Sequence, residues 1–192
     1  MNIDEKIDMN QLKAQGGSVI AFATTDNVAV GKKGAQYIID NVPAGSEVAI
    51  IEGKAGNASG EDRRDGARQA FEAAGLKVVA SLPADWDRQK ALDVAASYIQ
   101  QYPNLKAIYA CNDGMALGAV QAVQNADKIG QIIVVGTDGD KEAVDSIQQG
   151  LLSATVAQDP AGIGAASLEA MVEAVKNKAE IKSDAEVKTI PI

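Results

Sequence analysis

Polar side chains come just after most of the predicted strands of this 192-residue chain, and their types are suited to hydroxyl groups. Five are candidates for ligand contact: Arg63, Trp86, Asn112, Asp138 and Gln158. Carboxylates and amides bond adjacent hydroxyls, and a guanidinium offers a planar fork of donors. A tryptophan ring can cover the apolar C–H side of a sugar ring. The set therefore indicates binding of a neutral polyhydroxy ligand.

Each candidate also has an ordinary structural explanation. Arg63 could form an ion pair at a helix start, and Trp86 could plug a sheet edge. Asn112 could be a helix N-cap, which is the commoner role of asparagine at a helix start. Asp138 could form a turn, and Gln158 is a weak signal by itself. Only the coincidence of all five on one edge of a sheet points to binding.

Catalytic and metal-binding machinery is not evident in the sequence. Histidine is absent, which excludes Ser-His-Asp and Cys-His nucleophiles and histidine-bearing metal sites. The single Cys111 excludes an intrachain disulfide and a zinc ribbon, and a buried spectator thiol is its expected role. The loop 53–59 lacks the Gly-Lys-Ser/Thr ending of a phosphate loop. We therefore expect no enzyme activity, no cofactor and no metal.

The charge balance argues against polyanionic partners. Eighteen basic and 26 acidic residues give a net charge of -8, which repels phosphate backbones and anionic lipid. No apolar stretch is long enough to span a bilayer, and residues 1–8 lack the features of a signal peptide. We expect neither nucleic-acid binding nor membrane insertion. The chain is expected to be cytoplasmic if Met1 is its true start, or otherwise a mature or truncated form.

Short β-branched runs alternate with longer segments whose apolar residues recur three and four apart. The predicted strands are 18–23, 47–52, 76–81, 105–110, 132–136 and 153–157. The predicted helices are 27–41, 60–74, 88 to before Pro103, one from Asp113, 141–149 and one from Pro160. A strand stub at 2–3, a short polar helix before residue 17 and an edge strand at 187–192 complete the prediction.

This alternation predicts an α/β fold with a doubly wound parallel sheet, in three αβα layers. Ligands bind such sheets at the carboxyl ends of the strands. The five candidate residues follow different strands, so that they are expected on one rim of the sheet.

Several segments together resemble the type I periplasmic sugar-binding proteins of ABC importers, in the ribose/D-allose group. The resemblance covers nearly the whole chain. The segments that carry it are 2–6, 25–31, 52–60, 84–88, 112–116, 135–139 and 154–158.

The resemblance implies a two-lobed fold that closes on a sugar, of which this chain holds one complete lobe and remnants of the other. Residues 24–158 would form the C-terminal sugar-binding lobe. Residues 1–23 and 159–192 would be remnants of the N-terminal lobe and a terminal crossover strand. The helix from Pro160 would then expose an apolar face, and the chain alone would bind sugar weakly or undetectably.

Residue roles also follow from the resemblance. Asp4 and Arg63 would contact the sugar, and Trp86 would stack on its ring. Asn112 and Asp138 would bond hydroxyls, and Gln158 would add a contact where the lobes cross over. The partners implied are a monosaccharide of the D-allose or ribose type and the membrane subunits of an ABC permease, in the periplasm for the full-length family form.

Two other functions remain open from the residues alone. One is the effector-binding core of a LacI-type transcription repressor, which resembles the same fold; the net charge of -8 and the missing basic segment argue against it. The other is a small doubly wound enzyme that uses Asp4, Asp138 or Arg63 on a phosphorylated substrate. No motif in the sequence supports this second function.

Overall fold

Two compact units make up the protein, which we describe from a computed structural model covering residues 1–19, 21–176 and, by backbone, 186–190. The larger unit is Asn27–Gln158. The smaller unit combines Met1–Asp26 with the described residues from Asp159 onward.

The larger unit holds a five-stranded parallel sheet in the order β4-β3-β5-β6-β7. Its strands are β3 Glu47–Glu52, β4 Lys77–Pro83, β5 Leu105–Ala110, β6 Ile133–Asp138 and β7 Ala154–Ala157. Its helices are α2 Asn27–Asn41, α3 Ala58–Ala73, α4 Arg88–Gln101, α5 Asp113–Asn125 and α6 Lys141–Gln148. Four successive residues of β3, from Val48 to Ile51, are fully buried, as expected when helices cover both faces of a sheet.

Glycines allow the helices of this unit to pack closely in pairs. A methyl group on Gly31 of α2 would collide with the Arg63 carbonyl of α3, and one on Gly66 of α3 would collide with the Val28 carbonyl of α2. Gly118 of α5 lies equally close to the Arg88 carbonyl of α4. The backbones therefore approach to distances that no larger residue permits. The close contact between α2 and α3 sets where the first turns of α3 lie.

The smaller unit has a three-stranded parallel sheet in the order β1-β2-β8. Its elements are β1 Asn2–Ile3, α1 Met9–Ala14, β2 Ala21–Thr25, α7 Pro160–Lys176 and β8 Glu186–Ile190. Proline begins α7, where its missing N–H costs no hydrogen bond. The predicted apolar face of this helix is exposed: Leu168 is 63% and Val175 80% accessible.

Most predicted elements agree with the structure to within two residues, and the fold class is confirmed. The strands at 47–52 and 105–110 and the helix at 27–41 coincide with β3, β5 and α2. The first predicted strand, 18–23, is displaced, because β2 begins at Ala21 and ends at Thr25; its Ile20 lies outside the described residues. The final predicted strand matches β8 from 187 to 190, where it pairs only with β2, while 191–192 lie outside the described residues.

The boundary of the larger unit differs slightly from the predicted start of the sugar-binding lobe at residue 24. Thr24 and Thr25 belong to β2, which pairs with β1 and β8 in the smaller unit. The larger unit therefore begins at Asn27.

Candidate ligand-binding site

Loops at the carboxyl ends of β3 to β7 form one edge of the larger unit, which we call the carboxyl rim. It consists of the segments 53–60, 84–87, 111–113, 138–140 and Gln158, together with Arg63 of α3. In a parallel sheet these loops lie side by side, because every strand ends at the same edge.

Arg63 lies at the centre of the carboxyl rim and is 6% exposed. Its Nε donates to Asn27 Oδ1 at 2.9 Å, and its Nη1 donates to the Cys111 carbonyl at 2.8 Å and to Asp138 Oδ1 at 3.2 Å. Three acceptors from three separate segments of the chain therefore hold the guanidinium in one orientation. In the part of the chain that the structure describes, Nη2 has no hydrogen-bond partner.

Asp138 ends β6 and faces Arg63. Its Oδ1 accepts from Arg63 Nη1 at 3.2 Å and from Gln158 Nε2 at 2.6 Å, and the Asp113 backbone N–H also stabilises this carboxylate. Burial raises the pKa of Asp138, and the Arg63 guanidinium opposes that rise. The carboxylate thus joins β6 to α3 and to the end of β7 through Oδ1, and both of these side-chain bonds leave Oδ2 unused.

Asn112 has the structural role that its position suggested. Its Oδ1 accepts the Met115 amide at 2.9 Å and so caps α5. Its Nδ2 has no partner among the described residues, so that the same side chain can also donate to a ligand. Helix capping and ligand contact are compatible here, because they use different atoms of one amide.

Trp86 follows β4 in a left-handed turn, with φ 55° at Asp85 and 64° at Trp86. Its six-membered ring lies on two glycines: a methyl group on Gly60 would come within 2.9 Å of Cζ2, and one on Gly53 would collide with the ring. The indole is half-buried. Because neither glycine has a side chain, the Trp86 ring can pack directly on the backbone at both positions. Trp86 is the only tryptophan of the chain.

A continuous series of contacts links the five predicted rim residues. Trp86 lies against Gly60, whose carbonyl is 3.8 Å from the Cys111 sulfur. The Cys111 carbonyl accepts from Arg63, which pairs with Asp138, which in turn accepts from Gln158. Asn112 is the next residue after Cys111. The structure therefore brings these five residues to one rim, although their roles as ligand contacts stay predictions.

Asp4, the sixth predicted site residue, lies in the smaller unit. It is exposed, with φ 68°, and directly follows β1. Its backbone N–H donates to the Ala23 carbonyl at 2.7 Å, and its own carbonyl accepts from the Thr24 hydroxyl at 2.6 Å. These contacts hold the Asp4 backbone on β2, and its role toward a ligand also stays a prediction.

Two residues that hold the side chains and loops of the rim in place were not singled out from the sequence. Asn27 holds Arg63 Nε, and Asp113 is fully buried beneath the 138–140 loop. Both begin helices, α2 and α5, and a polar residue at a helix start is read first as a capping residue. The sequence has no signal that separates this role from a contact with a distant side chain.

Cys111 and the acidic residues are the groups of the rim that bear on covalent and metal chemistry. Burial raises the pKa of the Cys111 thiol to about 12, which agrees with the expected spectator role. Within the described residues, no three Cys, Asp or Glu side chains lie where they could hold a metal ion. No helix in the described part combines the length and apolarity that a membrane crossing requires. The available groups of the rim are hydrogen-bond donors and acceptors on a rigid frame.

Comparisons with known proteins agree with this geometry. Residues 6–179 match the family described as periplasmic binding protein domain. The chain is 61% identical to the D-allose-binding periplasmic protein of Escherichia coli K12, over 96% of this chain and 60% of that protein. It is 36% identical to the ribose import binding protein RbsB of Salmonella typhimurium, over 93% of this chain and 60% of that protein.

A solved structure shows the same fold with a sugar. The periplasmic solute binding protein of an ABC transporter from Actinobacillus succinogenes 130z, solved with bound D-allose, is 34% identical. It superposes with a TM-score of 0.85 over 97% of this chain and 65% of its own. The chain thus spans about 60% of the length of the curated relatives it matches.

Proposed function

Because the chain belongs to the periplasmic binding protein family, we propose that it carries the sugar-binding part of the solute-binding component of an ABC sugar importer. The single observation that supports this most strongly is a set of polar atoms on the carboxyl rim that no side-chain hydrogen bond among the described residues uses. These atoms are Arg63 Nη2, Asn112 Nδ2 and Asp138 Oδ2.

These atoms suit a sugar because they combine donors with an acceptor. Arg63 and Asn112 donate to hydroxyl oxygens, and Asp138 accepts a hydroxyl proton. Hydrogen bonds to charged groups contribute about 1.5–3 kcal/mol each. A sugar that lacks one hydroxyl in the right position would leave a charged group without its partner, so that epimers are discriminated.

The ring face of the sugar would lie on Trp86, which is already seated on Gly53 and Gly60. We assign Gln158 a contact beside Asp138, to which it already donates at 2.6 Å. Asp4 would add a contact from the N-terminal lobe. This lobe assignment, with 24–158 as the sugar-binding lobe and 1–23 and 159–192 as parts of the other, belongs to the same proposal.

The substrate class that we propose is a monosaccharide of the D-allose or ribose type. Its support is that the relatives named above bind D-allose and import ribose. The function of a binding component is to deliver the sugar unchanged, in the periplasm, to the membrane subunits of a permease. The relatives favour this role over a transcription repressor or an enzyme.

The affinity of the chain alone should be low. The relatives are longer, and contacts worth about 4 kcal/mol in their remaining part would correspond to a roughly thousandfold difference in affinity. We therefore expect dissociation constants weaker than micromolar for D-allose and D-ribose.

Nuclear magnetic resonance can test both the ligand and the location. Titrating the ¹⁵N-labelled chain with D-allose to high millimolar concentration should shift the amides around Arg63, Asn112 and Asp138 and the Trp86 indole N–H. An Arg63→Met variant should lose these shifts, whereas Arg64→Met should keep them, because Arg64 pairs with Asp65 and Glu52 and not with Asp138. Shifts confined to other surfaces, or none at the highest concentration, would contradict the proposal; micromolar affinity by calorimetry would contradict only the expected weakness.

A further inference from the structure

Asp113 is the last residue of the rim segment 111–113, and its side chain is completely buried. It occupies the first turn of α5, and each of its carboxylate oxygens is engaged. Oδ2 accepts the backbone N–H groups of Gly139 and Asp140 at 2.9 and 2.8 Å. Oδ1 accepts the Thr155 hydroxyl at 2.6 Å. A single carboxylate thus connects α5, the loop after β6 and strand β7.

The loop that Asp113 holds has an unfavourable backbone conformation. Asp138 has φ 126° and Gly139 has φ 80°. Residues with a Cβ atom rarely adopt such a φ, and they persist there only when the surrounding structure over-determines the conformation. Two charge-assisted hydrogen bonds to the next two amides are a restraint of this kind.

Glycines leave the space that the Asp113 carboxylate and the loop after β6 occupy. A methyl group on Gly136 would collide with Asp113 Oδ1, so that glycine at 136 makes room for the carboxylate. A methyl group on Gly139 would lie 2.7 Å from Ala157 Cβ. The Gly139 amide also lies 3.3 Å from the Thr155 hydroxyl. Glycine at 136 and 139 therefore allows the loop to lie this close to Asp113 and β7.

From these contacts we infer that Asp113 is a positioning residue for the ligand site: through the amides of Gly139 and Asp140 it holds Asp138 in its strained conformation. In that conformation Asp138 Oδ1 accepts from Arg63 and Gln158, and these two bonds leave Oδ2 unused. This inference rests on the proposed sugar-binding function, but its structural part can be measured without any ligand.

The ligand-free measurement uses Asp113→Asn, which preserves the shape of the side chain and removes its charge. We expect upfield shifts of the Gly139 and Asp140 amide protons, since bonds to a carboxylate become weaker or are lost. The ³J(HN–Hα) coupling of Asp138, which reports its φ, should change as well. Unchanged amide shifts and an unchanged coupling in a folded variant would overturn the inference.

A second variant covers the case in which Asp113→Asn does not fold. Thr155→Val removes the hydroxyl that donates to Asp113 Oδ1 and accepts from the Gly139 amide, but leaves the Gly139 and Asp140 amides bonded to Asp113 Oδ2. The Asp138 coupling and the Asp140 amide shift should therefore stay at their wild-type values, because both bonds to Oδ2 remain. An Asp138 coupling that changes in a folded Thr155→Val variant would contradict the inference, since it would show that Thr155 and not Asp113 fixes the loop. The matched surface control is Asp127→Asn, which should alter none of these signals.

The ligand measurement is a D-allose titration of the same variants. Asp113→Asn should weaken binding about tenfold or more, although Asp113 itself makes no contact with the sugar, whereas Asp127→Asn should not weaken it. Wild-type affinity in a folded Asp113→Asn variant would overturn the inference. If the unmodified chain shows no response to D-allose, the proposed function fails, while the Asp138 coupling still decides whether Asp113 positions the loop.

Discussion

The two units of the protein differ in how completely they cover their apolar surface. In the larger unit helices lie on both faces of the sheet, and residues such as Ile50 and Phe71 are fully buried. In the smaller unit α7 buries only Ile163 and Ser167, and it exposes Leu168, Met171, Val172 and Val175. The candidate ligand groups of the rim belong to the larger unit, whose apolar residues are mostly buried.

This difference shows what a polar binding site requires from its surroundings. Arg63 can be held by three acceptors only if α2, α3, β5 and β6 keep fixed positions relative to one another. Close helix packing at Gly31 and Gly66 provides such positions. A helix with an open apolar face, such as α7, has fewer neighbours that restrict it.

The largest expected effect concerns the buried ion pair of the larger unit. Arg63→Met should lower the free energy of unfolding by about 3–5 kcal/mol, because Asp138, Asn27 Oδ1 and the Cys111 carbonyl lose a donor. Arg64→Met is the neighbouring control and should cost about 1 kcal/mol or less, since its ion pairs are partly exposed. Urea unfolding of both variants measures the difference. If both variants lost the same free energy of unfolding, the Arg63 ion pair would stabilise the protein no more than the partly exposed pairs of Arg64.

The second effect is a pH dependence that arises from the buried Asp113. Burial, with a smaller contribution from Asp138, raises its pKa to about 6, from an ordinary value of 3.8. The folded state then binds more protons than the unfolded state between these pH values. Asp113 should therefore increase the free energy of unfolding as the pH falls from 7 to 4, by up to about 3 kcal/mol.

The control for this measurement is the Asp113→Asn variant. All other carboxylates titrate in the same way in wild type and in the variant, so that the difference between the two proteins reports Asp113. Unfolding free energies at several pH values should show wild type gaining stability relative to the variant on acidification. Parallel curves would indicate that the three hydrogen bonds to the carboxylate offset its burial.

Replacing glycine by alanine should change the free energy of unfolding in opposite directions in the two units. Gly66→Ala in α3 should destabilise by about 1–3 kcal/mol, because its methyl group would collide with the Val28 carbonyl of α2. Gly164→Ala in α7 has open space around it and should stabilise by about 0.5–1 kcal/mol through helix propensity. Thermal unfolding of the two variants provides the measurement. A stabilising Gly66→Ala would show that α2 and α3 can separate without cost.

The smallest effect is expected on the exposed face of α7. Val175 is 80% accessible, so that Val175→Gln should change the free energy of unfolding by less than about 0.5 kcal/mol. It should reduce self-association at high concentration, since it interrupts the apolar face. Sedimentation velocity over a concentration series detects this change. A loss of stability as large as that of a core variant would mean that Val175 is packed against other residues.

Much of the site could be predicted because strand endings determine which residues share a rim. Trp86, Asn112 and Asp138 each follow a strand that the hydrophobic pattern identifies, and parallel strands end at one edge. The N-cap role of Asn112 was also readable, since it depends only on Met115, three residues away. Asn27 and Asp113 were missed, because their partners Arg63 and Thr155 lie 36 and 42 residues along the chain.

The order of strands and helices, the excluded chemistries and the membership of the rim were determined by local features of the sequence: hydrophobic periodicity, residue types and the absence of histidine. Which atoms remain available to a ligand was decided only by the tertiary structure. Arg63 keeps Nη2 because three acceptors from distant parts of the chain occupy its other donors, and Asp138 keeps Oδ2 because Arg63 and Gln158 both bind Oδ1. These hydrogen bonds join residues far apart in the sequence. They depend on how helices and strands pack, which no local pattern encodes.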